Sequence, residues 1–339
     1  AKDIDSGGRT GGPHVFAREG VDITSSGSGA QKLVIDIAPS SGGQQLVGIG
    51  AGTDGATPGD GQVSATVSSA GGGLLSISGA TATAVAGLNI STEIGDAAKL
   101  TGGTINVTTH SWVRSKASAE NDGGGLIGIG DSTANDAVWA QNSVTVDANA
   151  KLTAAGNVDV SSHSVLQPRV AAATNQGGLI GGATGNTTAS TDYTTTTTFH
   201  GTISAGGTAS VGAHTGVDSF ANVTADVGGL GADGETHAFT PVGGNNSEIG
   251  GIPITDATTF TDLTSGSTIT GNHVRVQAIV DFLHVGINTR THATAIGANS
   301  EANGHINVGG ATRVALDSGS TIVGNVNTNI AAEYLNIDL

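Results

Sequence analysis

The chain of 339 residues has no cysteine and no methionine, only 6 prolines, 3% aromatic residues and 12 lysines and arginines in all. The missing cysteine excludes a disulfide framework, a thiolate metal site and a thiol nucleophile, and it suits a long secreted protein held by ladder hydrogen bonds. Against 28 acids the few cations leave a net charge of −16. That balance offers no basic footprint to a phosphate backbone, so nucleic acid is excluded as a partner, and an anionic lipid surface would repel the chain. No run of 18 apolar residues exists, so no membrane insertion is expected. With so few aromatic groups and charged residues at 12%, a compact core of large side chains is excluded as well. The chain begins at Ala1 with neither a Met nor a signal-like apolar stretch, which predicts a piece processed or excised from a larger polypeptide.

What the sequence has is glycine, 56 residues of it, with Thr, Ser, Ala and Asn, and a beat of about 52 residues. Gly124-Gly125-Leu126-Ile127-Gly128 returns as Gly177-Gly178-Leu179-Ile180-Gly181 and as Gly228-Gly229-Leu230-Gly231, so the leucines keep one period. Lys99-Leu100-Thr101 returns as Lys151-Leu152-Thr153, and Ser265 to Ile269 returns as Ser318 to Ile322 on the same period. Repeats of this length signal a stacked architecture in which each unit buries its apolar face against its neighbours. The apolar fraction of 37% and the regular spacing of Val, Ile and Leu argue against a disordered chain.

Helix signals are nearly absent. Short alternating runs such as Leu33 to Ile37, Val144-Thr145-Val146, Val158-Asp159-Val160 and His273 to Val276 have the period of two expected of strands. Gly156-Asn157, Gly206-Gly207, Gly271-Asn272 and Gly324-Asn325 punctuate them as turns. Each repeat then reads as a Gly-Asn turn, a Val-x-Val strand, an Ala/Ser strand, the Gly-Gly-Leu-Ile-Gly segment and a Thr-rich return.

Two departures from the beat shape the expectation. Leu46 to Gly50 copies Leu126 to Gly130 from a period and a half upstream, and the surplus of half a repeat predicts two coils per repeat. Ala295-Ile296-Gly297 follows Leu230 at more than one period, which implies an insertion, with 241–253 as a protruding loop. The expected fold is all-β, a parallel β-helix (β-solenoid) of about two coils per repeat. It is one structural domain, with N-terminal coils or a cap over 1–45, the repeat solenoid over 46–330 and a C-terminal end over 331–339.

At Gly123 to Gly130, at Lys151 to Val160 and at their copies the chain resembles the repeats of giant bacterial surface adhesins, the filamentous-haemagglutinin-like and leukotoxin-like filamentous group. The resemblance covers roughly residues 46–330. It implies a right-handed parallel β-helix, secretion across the outer membrane, and a scaffolding or adhesive role.

Several constellations invite chemistry. His110, His163 and His214 share one phase of the repeat, with Ile279 in the fourth copy. With two coils per repeat they would stand about 9.5 Å apart, too far for one metal, so a solvated or turn-stacked column is expected. Asp122, Asn175 and Asp226 form an Asx column four residues before the aligned leucines. Asx residues bond their own backbone in tight turns, and calcium is the sharper alternative because carboxylates suit a hard cation. Gly228 to Asp233 matches the start of a calcium-binding nonapeptide, but Glu235 breaks it. Asp122, Asp226 and Asp233 are thus the calcium candidates, and no other cofactor is expected.

Thr194 to Thr198 reads as a strand whose hydroxyls bond across coils, not as an ice-binding array. The sequons at Asn89, Asn106, Asn186, Asn222 and Asn245 are what Asn and Thr richness yields by chance. Trp112 and Trp139 read as one buried and one surface anchor, with a sugar face as the other reading. No catalytic motif is present, and Lys and Arg are scarce. The expectation is a non-catalytic, extracellular or cell-surface structural or adhesive segment able to associate end to end into filaments, with a host surface, neighbouring cell or glycan as the open partner. A carbohydrate-active β-helix enzyme and a calcium-binding secreted β-roll are the alternatives.

Overall fold

The structure is a computed structural model that describes residues 63–243 and 257–339, together with the backbone of the strands Ile4–Asp5, His14–Ala17, Asp22–Thr24, Lys32–Ile37, Ser247–Ile249 and Ile252–Ile254. Among the described residues there is no helix. The strands join in one large, predominantly parallel sheet system. The chain is a parallel β-helix.

One coil corresponds to one repeat, not to half of one. Leu75 pairs with Ile127, Ile127 with Ile180 and Ile180 with Gly231, each in the next coil of the stack. The same holds at the opposite end of the coil, where Leu100 pairs with Leu152 and Leu152 with Ile203. The two-coil expectation therefore fails. The residues it assigned to a second coil build an arm instead. The strand Thr104–Val146 runs out to a bend and comes back, so that Asn121 Nδ2 donates to the carbonyl of Asp131, 10 residues on. Thr174 Oγ1 reaches the carbonyl of Thr184 and Thr291 Oγ1 that of Glu301, also 10 residues on. Those pairs bracket Leu126, Leu179 and Ile296. The bend is at the repeated apolar mark itself.

Side-chain size explains the shape. In the broad part of each coil Val, Ile and Leu stack coil on coil: Ile105, Val158, Ala209 and Val274 in one column and Val107, Val160, Val211 and Val276 in the next, all buried. The Val-x-Val segments thus share one parallel sheet, as their phase predicts. Farther out the inward residues shrink to Ala80, Ala82, Ala84, Ala117, Ala119, Ala134, Ala172, Ala189 and Ala221, a separate core cluster. Small side chains let the outgoing and returning sheets face each other closely, and each coil becomes a broad head with a thin fin. From Val113 to Leu126 is about a dozen residues, so the fin extends about 40 Å at roughly 3.3 Å per residue.

Between head and fin lies a polar seam. Ser111 Oγ donates to Ser164 Oγ at 3.0 Å, Thr195 Oγ1 to Ser164 Oγ at 2.8 Å, and Thr259 Oγ1 to Thr215 Oγ1 at 2.9 Å. Thr195 and Thr197 from the threonine run are buried here, but Thr195 bonds Ser164 across the interior of its own coil and Thr197 Oγ1 donates to the carbonyl of Gly212 in the next, so the expected hydroxyl-to-hydroxyl bonding across coils is corrected.

The corners carry the turns. Ala97, Asn149, Gly266 and Gly319 take φ of 56°, 59°, 87° and 84° at equivalent corners. At the fin tip glycine has a second reason. A Cβ on Gly178, whose φ is +159°, would stand 2.5 Å from the carbonyl oxygen of Gly125 in the coil above, and one on Gly125 would stand 2.1 Å from that of Gly73. Backbone approaches backbone there, so no side chain fits.

The copy preceding Leu126 is Gly71-Gly72-Gly73-Leu74-Leu75, in register one coil above, whereas Leu46 to Gly50 lies outside the described residues, as does most of 1–45. The insertion stands, with shifted limits. Pro241 belongs to the strand Gly231–Val242, paired with Asn307. Val242 pairs with Thr191 and Ala257 with Tyr193. The preceding coil joins those two positions through Asp192 alone, whereas this coil joins them through 243–256. Within that stretch Ser247–Ile249 and Ile252–Ile254 form an antiparallel hairpin.

Candidate functional site

Three outward-facing features concentrate chemistry on this surface. The first is the histidine column on the head. His110, His163 and His214 are in register and their rings stack at 4.8 and 4.7 Å with interplanar angles of 11° and 12°. The separation expected from two coils per repeat is thus halved, because one repeat is one coil. The stacked rings still do not converge on one point, as ligands each about 2 Å from a metal must. Burial, with the neighbouring His214 and His110, holds His163 down from the ordinary 6.5 to about 3, so its imidazole is neutral. Its Nε2 lies 3.0 Å from Ser161 Oγ, and His214 Nδ1 lies 3.2 Å from Asp281 Oδ1. Beside them burial pushes the Asp159 carboxyl up, opposed by hydrogen bonds from Ser161 and Ser210 and by the charges of His214 and His110. The column ends at Ile279, which pairs with His214.

The second feature is the Asx column near the fin tip. Asp122, Asn175, Asp226 and His292 are consecutive partners in the ladder. They sit within extended strands rather than in turns, so the own-backbone turn reading is corrected to a ladder across coils. Asn175 Nδ2 donates to Asp122 Oδ1 at 2.8 Å, and His292 Nδ1 lies 3.5 Å from Asp226 Oδ1. A shallow cleft of about 420 Å³ runs along them. Asp233 lies elsewhere, paired with Gly182 and Asn299, whose Nδ2 donates to its Oδ1 at 3.0 Å. The three calcium candidates are therefore not brought together as one set, and no group of three or more His, Cys, Asp or Glu placed to hold a metal occurs among the described residues.

The third feature is the edge of the fin, which sequence reasoning treated as a repeat mark and not as a surface. Leu126 is 46% exposed, Leu179 43%, Leu230 52% and Ile296 89%, with Ile129 and Ile180 beside them and Leu74, Leu75 and Ile77 continuing the line above. The apolar mark of each repeat is thus presented to solvent instead of buried. Glycines on both sides of each leucine were the available signal, since a residue at a tight bend of a thin arm has no opposing sheet to enter. Beside this edge a second outward column holds Glu120, Ala173, Thr224 and Arg290.

The tryptophans are neither a buried and exposed pair nor neighbours. Both are half-buried. Trp112 Nε1 donates to Gln167 Oε1 at 3.1 Å, while Trp139 lies over Gly87, where a Cβ would stand 1.7 Å from the indole. One acid is buried and belongs to no sequence motif. Asp136 lies inside the junction of head and fin, accepting hydrogen bonds from Ser115 Oγ and, at 2.9 Å, from the backbone N–H of Arg169. Burial pushes its carboxyl from 3.8 up to about 7 against both hydrogen bonds.

Fold and surface together define the class: a finned parallel β-solenoid whose outward side chains form columns repeated coil by coil. Comparison with known proteins adds no relative, since no family model, curated protein or solved structure matches the chain.

Proposed function

We propose that this chain is a structural or adhesive segment of a large extracellular or cell-surface bacterial protein, acting through its shape and its repeated surface without catalysis. The observation that carries the reading is the coil-by-coil repetition of outward columns on one continuous ladder. A histidine stack, an Asx ladder and an aliphatic edge each recur at one rung spacing, which is the organisation of a stalk or fibre surface rather than of a single concave site. The backbone satisfies its hydrogen bonds on the coils above and below, which suits a rod exposed to proteases and dilution. The resemblance of the repeats to filamentous adhesins points the same way.

Antibodies raised to the chain should label intact cells of the source, and electron micrographs of the native material should show rods or fibres. Labelling only after lysis would overturn the surface reading. Polysaccharide cleavage by the purified chain, lost when a single acid is neutralised, would replace it with the carbohydrate-active alternative.

A further inference from the structure

We propose that the outward face at the root of the fin binds a carboxylated polysaccharide, laid along the stack of coils. The proposal deepens the adhesive reading by giving the partner's chemistry, and it rests on that reading for the setting in which the two meet. Register places the residues. Trp112, Arg114 and Lys116 point outward from one strand, and the ladder sets Gln167 beside Arg114, Arg169 beside Lys116 and Phe220 beside Arg169. One coil on, Phe282 pairs with Gly216 and Gly286 with Phe220. The face is about 13 Å wide and about 14 Å long, at roughly 3.3 Å per residue and 4.8 Å per coil. Its rings lie over glycine. A Cβ on Gly216 would run into Phe282 Cζ, and one on Gly286 would stand 2.7 Å from Phe220 Cδ2. Each ring turns one face to the sheet and leaves the other outward, with Phe220 38% exposed. Trp112 is tied to the next coil by its bond to Gln167 Oε1. Flat apolar faces edged by polar side chains are what the C–H face of a pyranose packs on, and one coil is close to the length of one pyranose unit.

Charge decides which polymer fits. Three of the chain's 12 lysines and arginines stand in adjoining positions here, on a molecule whose net charge is −16. The sign is locally reversed. Arg169 is held within the chain, donating to the carboxylate of Asp218 and, at 2.6 Å, to its carbonyl. Arg114 and Lys116 have no acid partner among the described residues, so both charges are open to a ligand. Along their strand the next outward acid is Glu120, about 13 Å from Lys116 at roughly 3.3 Å per residue. That exceeds the roughly 8 Å Debye length at physiological ionic strength, so the acid columns beyond do not cancel the patch. The Arg fork takes a carboxylate in two parallel bonds, and two open cations at neighbouring positions suit a polymer with one carboxylate per sugar. A nucleic acid or a densely sulfated chain carries more charge than they can neutralise and would meet the acid columns as well.

Affinity electrophoresis of the purified chain through gels holding polygalacturonate tests this, with dextran and dextran sulfate gels beside it. The wild type should be retarded by polygalacturonate alone. In a Trp139→Phe background, where Trp112 is the remaining indole, a galacturonate oligosaccharide should change the tryptophan fluorescence saturably. Arg114→Gln with Lys116→Gln should raise the apparent dissociation constant at least about tenfold with an unchanged circular dichroism spectrum, since neither cation is paired within the chain. Arg290→Gln, farther out on the same flank, should run as the wild type does. An unretarded wild type, a double variant that keeps its retardation, or an Arg290→Gln chain that loses it as fully would overturn the proposal. Equal retardation by dextran would overturn it in favour of a neutral sugar, and equal retardation by dextran sulfate in favour of unspecific attraction to polyanions. Chain and polymer are both purified, so this readout fails independently of the antibody labelling that tests the surface reading.

Discussion

Asp136 is the residue whose environment disagrees most with its chemistry, and its consequence is measurable. Its folded pKa, raised to about 7, means that the folded state holds a proton the unfolded chain releases near pH 3.8. The associated stability is present below about pH 4 and is lost as pH rises through about 7. At roughly 1.4 kcal/mol per pKa unit the loss amounts to a few kcal/mol. His163 contributes the opposite slope. Lowered to about 3, it favours folding above pH 6.5 and withdraws that contribution as the solution is acidified. Asp136→Asn should therefore raise the denaturation midpoint at pH 8 and flatten the decline on raising pH, to which the raised Asp159 carboxyl still contributes, while His163→Gln should steepen the wild-type decline. Superimposable pH profiles for wild type and Asp136→Asn would show that the carboxyl titrates normally. Gly178→Ala tests the tip in the same way: with a carbonyl 2.5 Å from the new Cβ, a loss of about 1–3 kcal/mol is expected by urea denaturation. Of these residues the tip glycines were legible as a motif, though their reason was not. Asp136 was invisible, since an acid facing an arm's interior is known only once the arm is.

The elements show where a sequence period stops informing. The Val-x-Val strands, the breaks at Gly156-Asn157 and Gly206-Gly207 and the Lys-Leu-Thr register were legible because alternation and punctuation repeat with the coil, whereas Gly271-Asn272 and Gly324-Asn325, expected as turns, lie inside the strands Thr268–Thr294 and Thr321–Tyr334. The fin was not, because an Ala/Ser strand going out and an Ala/Thr strand coming back carry the same alternation as a further coil would; only the opposed pairs 10 residues apart tell them apart. The Leu46 segment that suggests a further half repeat lies outside the described residues, whereas the copy in register above Leu126, at Leu74, lacks the Leu-Ile pair. The insertion was found because surplus residues break a period that any fold must keep. Removing residues 243–255 leaves one residue between Val242 and Ala257, just as Asp192 alone separates their partners Thr191 and Tyr193. The deleted chain should keep its circular dichroism spectrum and melt within a few degrees of the wild type. Loss of the β signal would show that the hairpin belongs to the solenoid body.

For the molecule as a whole, the question is whether an ion helps hold it. Stability has sources independent of any cation: ladder hydrogen bonds between successive coils, such as Lys151 N to Ala98 O and Thr202 N to Ala150 O at 2.8 Å, and aliphatic stacks buried the length of the head. The carboxylates of the Asx column are meanwhile engaged by Asn175 and His292, which act as internal counterparts where a metal would otherwise sit. The net charge of −16 complicates the measurement, because any divalent cation screens self-repulsion and raises the melting temperature slightly. Calcium must therefore be compared with magnesium at equal ionic strength. Equal melts in the two salts, with only a small drop in chelator, are expected. A calcium-specific gain approaching about 2.7 kcal/mol at a hundredfold excess over the dissociation constant is the linkage signature of a site. If that gain vanished in Asp122→Asn with Asp226→Asn, the ladder would have to be reassigned as a calcium-binding column.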